Sequence, residues 1–307
     1  MRVLLLVNAS ASSVTARTRV VIAKALAADH DVEVAETSRR GHATRLAQGA
    51  AADGVECVVV LGGDGTLNEA ANGLAGTSCA LGVLPGGSTN VFARTIGMVN
   101  DPIEATGQLL SSLAAKHVER VGLGTVNGRY FLFHVGMGFD AAVVEQVEKR
   151  SSLKRYAGHP LFVYAGFATW TRHFDRQRAA ARVQVDGSSE SHEAFLAICL
   201  NTNPYTYLGN RPLDIAPDAG LDRRLVLVSV HTMSMLPLLS IIASAMHFGI
   251  PLQRQRTVGY TADVGGATAT AIDGRPFAYQ VDGDHLGEVT SLVFRHEAEV
   301  LDLVLPC

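Results

Sequence analysis

Residues 58–74, VVVLGGDGTLNEAANGL, place an apolar run, a pair of glycines and a helix-forming stretch in immediate succession. Val58 to Leu61 has no polar residue on either face of a strand. That predicts a strand buried on both sides, and so a parallel sheet with helices packed over it. Gly62, Gly63 and Gly65 allow backbone conformations and close approaches that a side chain would block. Thr66, with Glu69 three residues on, has the spacing of a helix N-cap and its capping box. A glycine turn that opens a helix presents N–H groups and the positive end of the helix dipole, a setting suited to phosphate. Such a turn is also an ordinary way of passing from strand to helix, so alone it decides nothing.

A second stretch of the same kind changes the weighting. Residues 80–90, ALGVLPGGSTN, again run from strand through glycines to a helix start, with Gly87, Ser88, Thr89 and Asn90 in the turn. Two such loops about twenty residues apart predict two helix N-termini on one sheet edge, where α/β proteins bind ligands. A polyphosphate fits that edge.

Composition narrows the classes. The chain of 307 residues, 48% apolar and 18% charged, reads as a soluble globular enzyme with one large or two ordinary domains. Its net charge of −3 leaves no footprint for nucleic acid. Cys57, Cys79, Cys199 and Cys307 lack paired spacing, which favours reduced thiols over disulfides or a zinc site. The start, MRVLLLVNAS, is too short for a secretory signal, and the longest apolar stretch, Met233 to Phe248, falls short of a membrane span. A cytoplasmic protein is expected. The eleven histidines have no metal-ligand spacing, and no G-x-S-x-G elbow is present, which argues against covalent hydrolase chemistry.

Strand and helix patterns alternate to about residue 116, predicting a doubly wound α/β domain over 1–122. Beyond it the pattern turns to short strands. Val118 to Val126 and Arg129 to Val135 flank Asn127-Gly128, a hairpin signal, and Val183 to Val185 with Ala194 to Leu200 flank Asp186-Gly187 in the same way. Together with later short strands they predict a mainly antiparallel β-sandwich domain over 123–298, with helices near 137–150, 155–173 and 232–248. The last strand, 299–307, is expected to return to the first domain.

GGDGTLNEAANGL, LPGGSTN and the late VDGD resemble the catalytic domain shared by diacylglycerol, sphingosine and ceramide kinases, in its soluble bacterial form. GHATRLA after Thr37, GMGFDAAVV at 136–144 and NTNPYTYLGNRPLDIAPDAGLD at 201–222 add to the likeness, which covers nearly the whole chain. NAD kinases share GGDGT but usually have a different later half. The resemblance implies that Gly62, Gly63, Asp64, Gly65 and Thr66 hold the phosphates of ATP, with Asn68 nearby, Thr37 touching the nucleotide, and Gly87, Ser88 and Asn90 in the second loop. It makes Asp64 the partner of a catalytic Mg2+, directly or through water, because a carboxylate inside a phosphate loop otherwise repels its ligand. Against this stands an Asp that only hydrogen-bonds the glycine turn. Asp284 stands where the family usually has the Glu read as the base for the lipid hydroxyl, and is one methylene shorter. Without the resemblance, VDGD reads as a turn between strands. Asp218 and Asp222 lie where some relatives hold a second, structural magnesium, but Arg223 and Arg224 follow, and arginine cannot coordinate a cation. Val91 replaces an Asp that many relatives carry.

On the acceptor side, residues 149–178 combine Lys149, Arg150, Lys154, Arg155, Arg172, Arg176 and Arg178 with Leu161, Phe162, Val163, Tyr164, Phe167 and Trp170. The mixture suits either peripheral contact with an anionic bilayer or a core helix whose charges snorkel to water. The expectation is an ATP-dependent lipid kinase acting on a membrane lipid entering between the domains, with diacylglycerol preferred by resemblance. Sphingoid bases, ceramide or another long-chain alcohol, an NAD kinase, and a nucleotide-binding regulatory protein remain as alternatives, and a homodimer is compatible with the chain.

Overall fold

The computed structural model describes residues 1–149 and 164–307. The chain divides into two compact units, Met1–Leu123 with Glu297–Cys307, and Gly124–His296.

The first unit alternates β1 (Arg2–Val7), α1 (Ala16–Leu26), β2 (Asp31–Glu36), α2 (His42–Ala52), β3 (Cys57–Gly62), α3 (Asp64–Leu74), β4 (Ala80–Pro85), α4 (Val91–Thr95) and α5 (Pro102–Ala115). Its strands are parallel in the order β2-β1-β3-β4. Every residue of β3 and β4 is buried, the pattern expected of strands covered on both faces. The end of the chain closes this sheet, with Leu303 opposite Leu81 in parallel register. The chain leaves β1 toward β2 on one side and resumes at β3 on the other. The carboxyl ends of β1 and β3 are therefore the switch point of the sheet, where α/β folds open a crevice.

Two local expectations differ from what forms. Helix α3 begins at Asp64 with Gly63 as its N-cap, so Thr66 lies inside the first turn rather than capping it. Glu69 does not reach back along its own helix. Its Oε1 accepts from Gly41 N at 2.7 Å and its Oε2 from Ala43 N at 3.1 Å, so it caps α2, whose own N-cap is a glycine without a side chain. The capping box fails because a neighbouring helix end, unserved by its own residues, competes for the same carboxylate.

The second unit is antiparallel. β5 (Val118–Val126), entering from the first unit, pairs β6 (Arg129–Phe131) around Asn127 and Gly128, both at positive φ as a tight primed turn requires. The strand expected to run on to Val135 breaks at Leu132, and β7 (His134–Gly138) belongs to another sheet. The remaining strands are β8 (Ala181–Val185), β9 (Ser191–Ala194), β10 (Leu196–Leu200), β11 (Thr206–Leu208), β12 (Arg211–Leu213), β13 (Leu225–Val230), β14 (Val258–Val264), β15 (Gly266–Ala271), β16 (Phe277–Val281), β17 (Asp284–Val289) and β18 (Ser291–Val304). The Asp186-Gly187 hairpin joins β8 to β9, not to β10 as the sequence suggested. Phe195 is where the chain changes sheets.

One sheet of this unit runs β14-β13-β10-β7-β16-β17, and the other includes β15-β8-β9. Between them lies a core of Val126, Phe131, Met137, Cys199, Leu227 and Phe294, among others. The inner strand β13, LVLVSV, is buried on both faces although its neighbours are antiparallel. Leu225 and Leu227 face the sandwich core, whereas Val226 and Val228 face a second cluster with Ala245 and Leu252. Ala245 ends α7 (Met235–Ala245), the helix covering that face; α6 (Phe139–Glu148) follows β7. Residues 164–168 are helical and lead into a wider turn at Thr169–His173. The basic segment's Arg150, Lys154, Arg155, Leu161, Phe162 and Val163 lie outside the described residues. All four cysteines are unpaired, and burial pushes the Cys57, Cys79 and Cys199 thiols up, Cys79 to about 11, so these three are inert core groups.

Candidate functional site

The two glycine loops lie against one another. A Cβ on Gly86 would stand 2.8 Å from Gly62 N, and one on Gly87 would stand 2.9 Å from Gly63 Cα. Gly86 N donates to Gly62 O at 2.8 Å. Side chains at these positions would wedge the loops apart, which is why both turns carry paired glycines. Asn8, directly after β1, donates from Nδ2 to Thr66 Oγ1 at 2.8 Å. Ser13 donates from its N to Gly86 O at 2.9 Å and from Oγ to Gly87 O at 3.1 Å. The carboxyl ends of β1, β3 and β4 thus share one polar, glycine-lined edge. Neither Asn8 nor Ser13 stood among the expected site residues; the available signals were a polar residue ending the first strand and the serine-rich loop behind it.

Asp64 has a different partner from the one expected. Its Oδ2 accepts from Val91 N at 3.0 Å and its Oδ1 from Phe92 N at 3.1 Å. The carboxylate caps α4, so the second loop does not offer those N–H groups to a phosphate. These backbone donors meet part of the charge that a carboxylate in this loop brings. Asn90 is buried at φ +51; its Oδ1 accepts from Gly87 N at 2.7 Å, and its Nδ2 donates to Gly87 O at 3.0 Å and Asn100 Oδ1 at 2.8 Å. It staples the second loop shut. Asn68 is buried on α3 and accepts at Oδ1 from Asn72 Nδ2 at 3.3 Å. Ser88 is exposed in the loop, and Thr37 follows β2 on the same sheet edge, its N donating to Val7 O at 2.9 Å. Gly62, Gly63, Gly65, Thr66, Gly87, Ser88 and Asn90 therefore gather around the switch point, with Thr37 further along the edge.

In the second unit the two aspartates of VDGD separate in role. Asp282, at φ +49 with Gly283 at +80, forms the turn between β16 and β17. Its buried carboxylate accepts from Leu132 N at 2.7 Å, Phe133 N at 2.9 Å and His134 N at 3.1 Å, serving the break between β6 and β7. Asp284 is half-buried at the start of β17, opposite Val281. The turn that carries it is held from α6. Gly283 N donates to Gln280 Oε1 at 2.8 Å, and Gln280 Nε2 donates to Asp140 Oδ2 at 2.9 Å. Tyr205 OH donates to Asp140 Oδ1 at 2.5 Å, and His285 N donates to Glu148 Oε1 at 3.0 Å. Burial raises the Asp140 carboxyl, against the lowering effect of the Tyr205 and Gln280 bonds. Tyr205 is pushed well up by burial and then by Asp140, and burial drives His134 down to about 3. Sequence reading gave this network no role, although Asp140 and Tyr205 lie in segments that carry the family likeness.

Asp218 accepts at Oδ2 from Tyr260 OH at 2.7 Å, and Asp222 lies 3.7 Å from Arg223 Nε. Among the described residues no three His, Cys, Asp or Glu side chains gather as a metal site.

A parallel α/β sheet thus carries two stacked glycine loops at its switch point. Residues 2–126 match the family model of the diacylglycerol kinase catalytic domain. "Probable lipid kinase YegS-like" of Chromohalobacter salexigens is 35% identical over 144 residues, covering 46% of this chain and 44% of the relative. A diacylglycerol kinase of Staphylococcus aureus is 29% identical over 197 residues, covering 64% and 58% respectively. The chain spans about half the length of these curated relatives. A crystal structure of a diacylglycerol kinase from Bacillus anthracis superposes with TM-score 0.73 at 21% identity, covering 99% of this chain and 96% of that one. Another from the same organism reaches 0.78 at 22%, covering 99% and 95%. These two establish the shared fold. No helix among the described residues is long and apolar enough to cross a membrane.

Proposed function

We propose that this chain is an ATP-dependent lipid kinase that transfers the γ-phosphate to a lipid hydroxyl, with diacylglycerol as acceptor and phosphatidic acid as product. The observation that carries the reading is the contact of the two glycine loops at the β1/β3 switch point, inside the stretch that matches the family. Gly62 to Thr66 with the start of α3 receives the phosphates, and Gly87 and Ser88 close the other side. Thr37 touches the nucleotide from the neighbouring strand end.

Magnesium supplies neutralisation of the phosphate oxygens. Among the described residues no three carboxylate, His or Cys side chains gather as a cage for it; the ion would be carried by the substrate phosphates and its own waters. Asp64, which stands inside the first glycine loop, would meet it through water. Asp284 takes the proton of the acceptor hydroxyl, held in place by the Gln280 and Glu148 contacts, and its shorter reach than Glu is met by positioning rather than length. Diacylglycerol is chosen over sphingoid bases because it is what the named kinases among the relatives take.

The test is transfer of labelled γ-phosphate to a panel of lipids in mixed micelles, by the wild type, Asp64→Asn and Asp284→Asn. Diacylglycerol should be phosphorylated, and Asp284→Asn should lower turnover by at least about a hundredfold while nucleotide binding is retained. Product with ceramide or a sphingoid base alone would reassign the acceptor. Transfer to NAD alone, or ATP binding without any transfer, would overturn the lipid kinase reading.

A further inference from the structure

The longest apolar stretch of the sequence does not form a buried core helix. In α7, Leu236 is 80% exposed, Leu239 55% and Ile242 53%, spaced three residues apart along one face, while Ala245 packs inward. Met235, Phe248 and Ile250 extend the exposed apolar surface at the two ends. Trp170 Nε1 donates to Met233 O at 2.9 Å, bringing in the stretch that exposes Tyr164 and Phe167. Single exposed leucines are ordinary, but contiguous patches of large side chains mark surfaces that meet something apolar.

The charges around it select what that is. Residues 164–178 and 231–256 contain Arg172, Arg176, Arg178, Arg254 and Arg256 against one acid, Asp175, on a chain of net charge −3. All five arginines are exposed, and the Arg176 guanidinium lies over the Trp170 ring at 4.3 Å. A second copy of the same face would bring these arginines against their own kind, which disfavours a symmetric dimer. An uncharged apolar ridge bordered by cations matches acyl chains beneath a layer of phosphates.

We propose that α7, with Tyr164, Phe167, Phe248 and Ile250, is the face by which this chain docks on an anionic lipid bilayer. Leu236, Leu239 and Ile242 enter the acyl boundary, and the arginines stand at the level of the lipid phosphates. The inference deepens the lipid kinase reading, since such an enzyme meets its substrate in a bilayer, but it stands on exposure and charge.

The experiment is co-sedimentation of the full chain with phosphatidylcholine vesicles and with vesicles that also contain phosphatidylglycerol. Wild type should bind the anionic vesicles and lose binding as salt rises. Leu236→Glu with Leu239→Glu should lower binding at least about tenfold, as should Arg254→Glu with Arg256→Glu. Because these side chains are exposed, the variants should keep the wild-type thermal transition. They should also keep phosphate transfer to a short-chain diacylglycerol dissolved as monomer, while losing transfer to the same lipid in vesicles. Unchanged vesicle binding in the leucine variant overturns the proposal. So does sedimentation velocity showing that wild type is a dimer and this variant a monomer. Vesicle binding by a chain that phosphorylates no lipid would leave the docking face standing and sink the kinase reading; lipid phosphorylation without vesicle binding would do the reverse.

Discussion

At the scale of single residues, charge compensation is the recurring device. Asp64 stands in the first glycine loop and accepts from the N–H groups of Val91 and Phe92. Asp64→Ala would leave both donors unserved, and the free energy of unfolding, measured in urea, should fall by about 1–3 kcal/mol. Asp64→Asn retains one acceptor and should fall less. His134 supplies a second test. Burial holds its imidazole neutral, with the folded pKa lowered from 6.5 to about 3. The unfolded chain therefore binds that proton first, so stability present above pH 6.5 is lost as the pH falls from there toward about 3. Between pH 6.5 and 5 this contribution is about 2 kcal/mol. Asp140 acts in the opposite sense, because its raised carboxyl favours the folded state once protonated. Its effect begins near the ordinary Asp value of about 4 and extends upward from there, into the His134 window. His134→Phe should show a shallower loss of urea midpoint between pH 6.5 and 5 than wild type. Of these residues, the glycines were readable from the sequence because their requirement is local. The partners of Asp64 and Glu69 were not, since each carboxylate serves a helix start in another segment.

At the scale of elements, α2 and α3 are packed close enough for two glycines to have opposite meanings. A Cβ on Gly73 would stand 2.5 Å from Thr44 O and 2.9 Å from Ala47 Cβ, whereas one on Gly49 meets nothing within 4 Å. Gly73→Ala should destabilise by about 1–3 kcal/mol through overpacking against backbone. Gly49→Ala, in the interior of α2, should stabilise by about 0.5–1 kcal/mol through helix propensity and a less flexible unfolded chain. Thermal unfolding of the two variants reads both signs. Element types were legible where periodicity was clear, as in the fully buried β3 and β4. The β8 hairpin partner and the break after Phe131 were not, because which sheet a strand joins depends on Asp282 and Phe195 contacts distant in sequence.

At the scale of the molecule, the first unit is discontinuous, and its last strand segment comes from the end of the chain. Val300, Leu301, Leu303 and Val304 are buried there. A chain ending at His296 loses these four side chains, each worth about 1.5–3 kcal/mol, and bares the edge of β4. That loss approaches the whole stability of an ordinary domain, so the truncated chain should be recovered as aggregate, with no cooperative transition by circular dichroism. The sequence by itself determined the strand-glycine-helix loops, the change from parallel to antiparallel architecture, and the apolar character of residues 233–248. Each is a conformational or periodic preference expressed within a few neighbouring residues. Only the tertiary structure decided that Asp64 caps α4, that Asp282 serves the break between β6 and β7, and that one face of α7 stays in solvent. Those outcomes depend on which groups segments far apart in the chain bring within hydrogen-bonding or packing distance, and local preference carries no record of them.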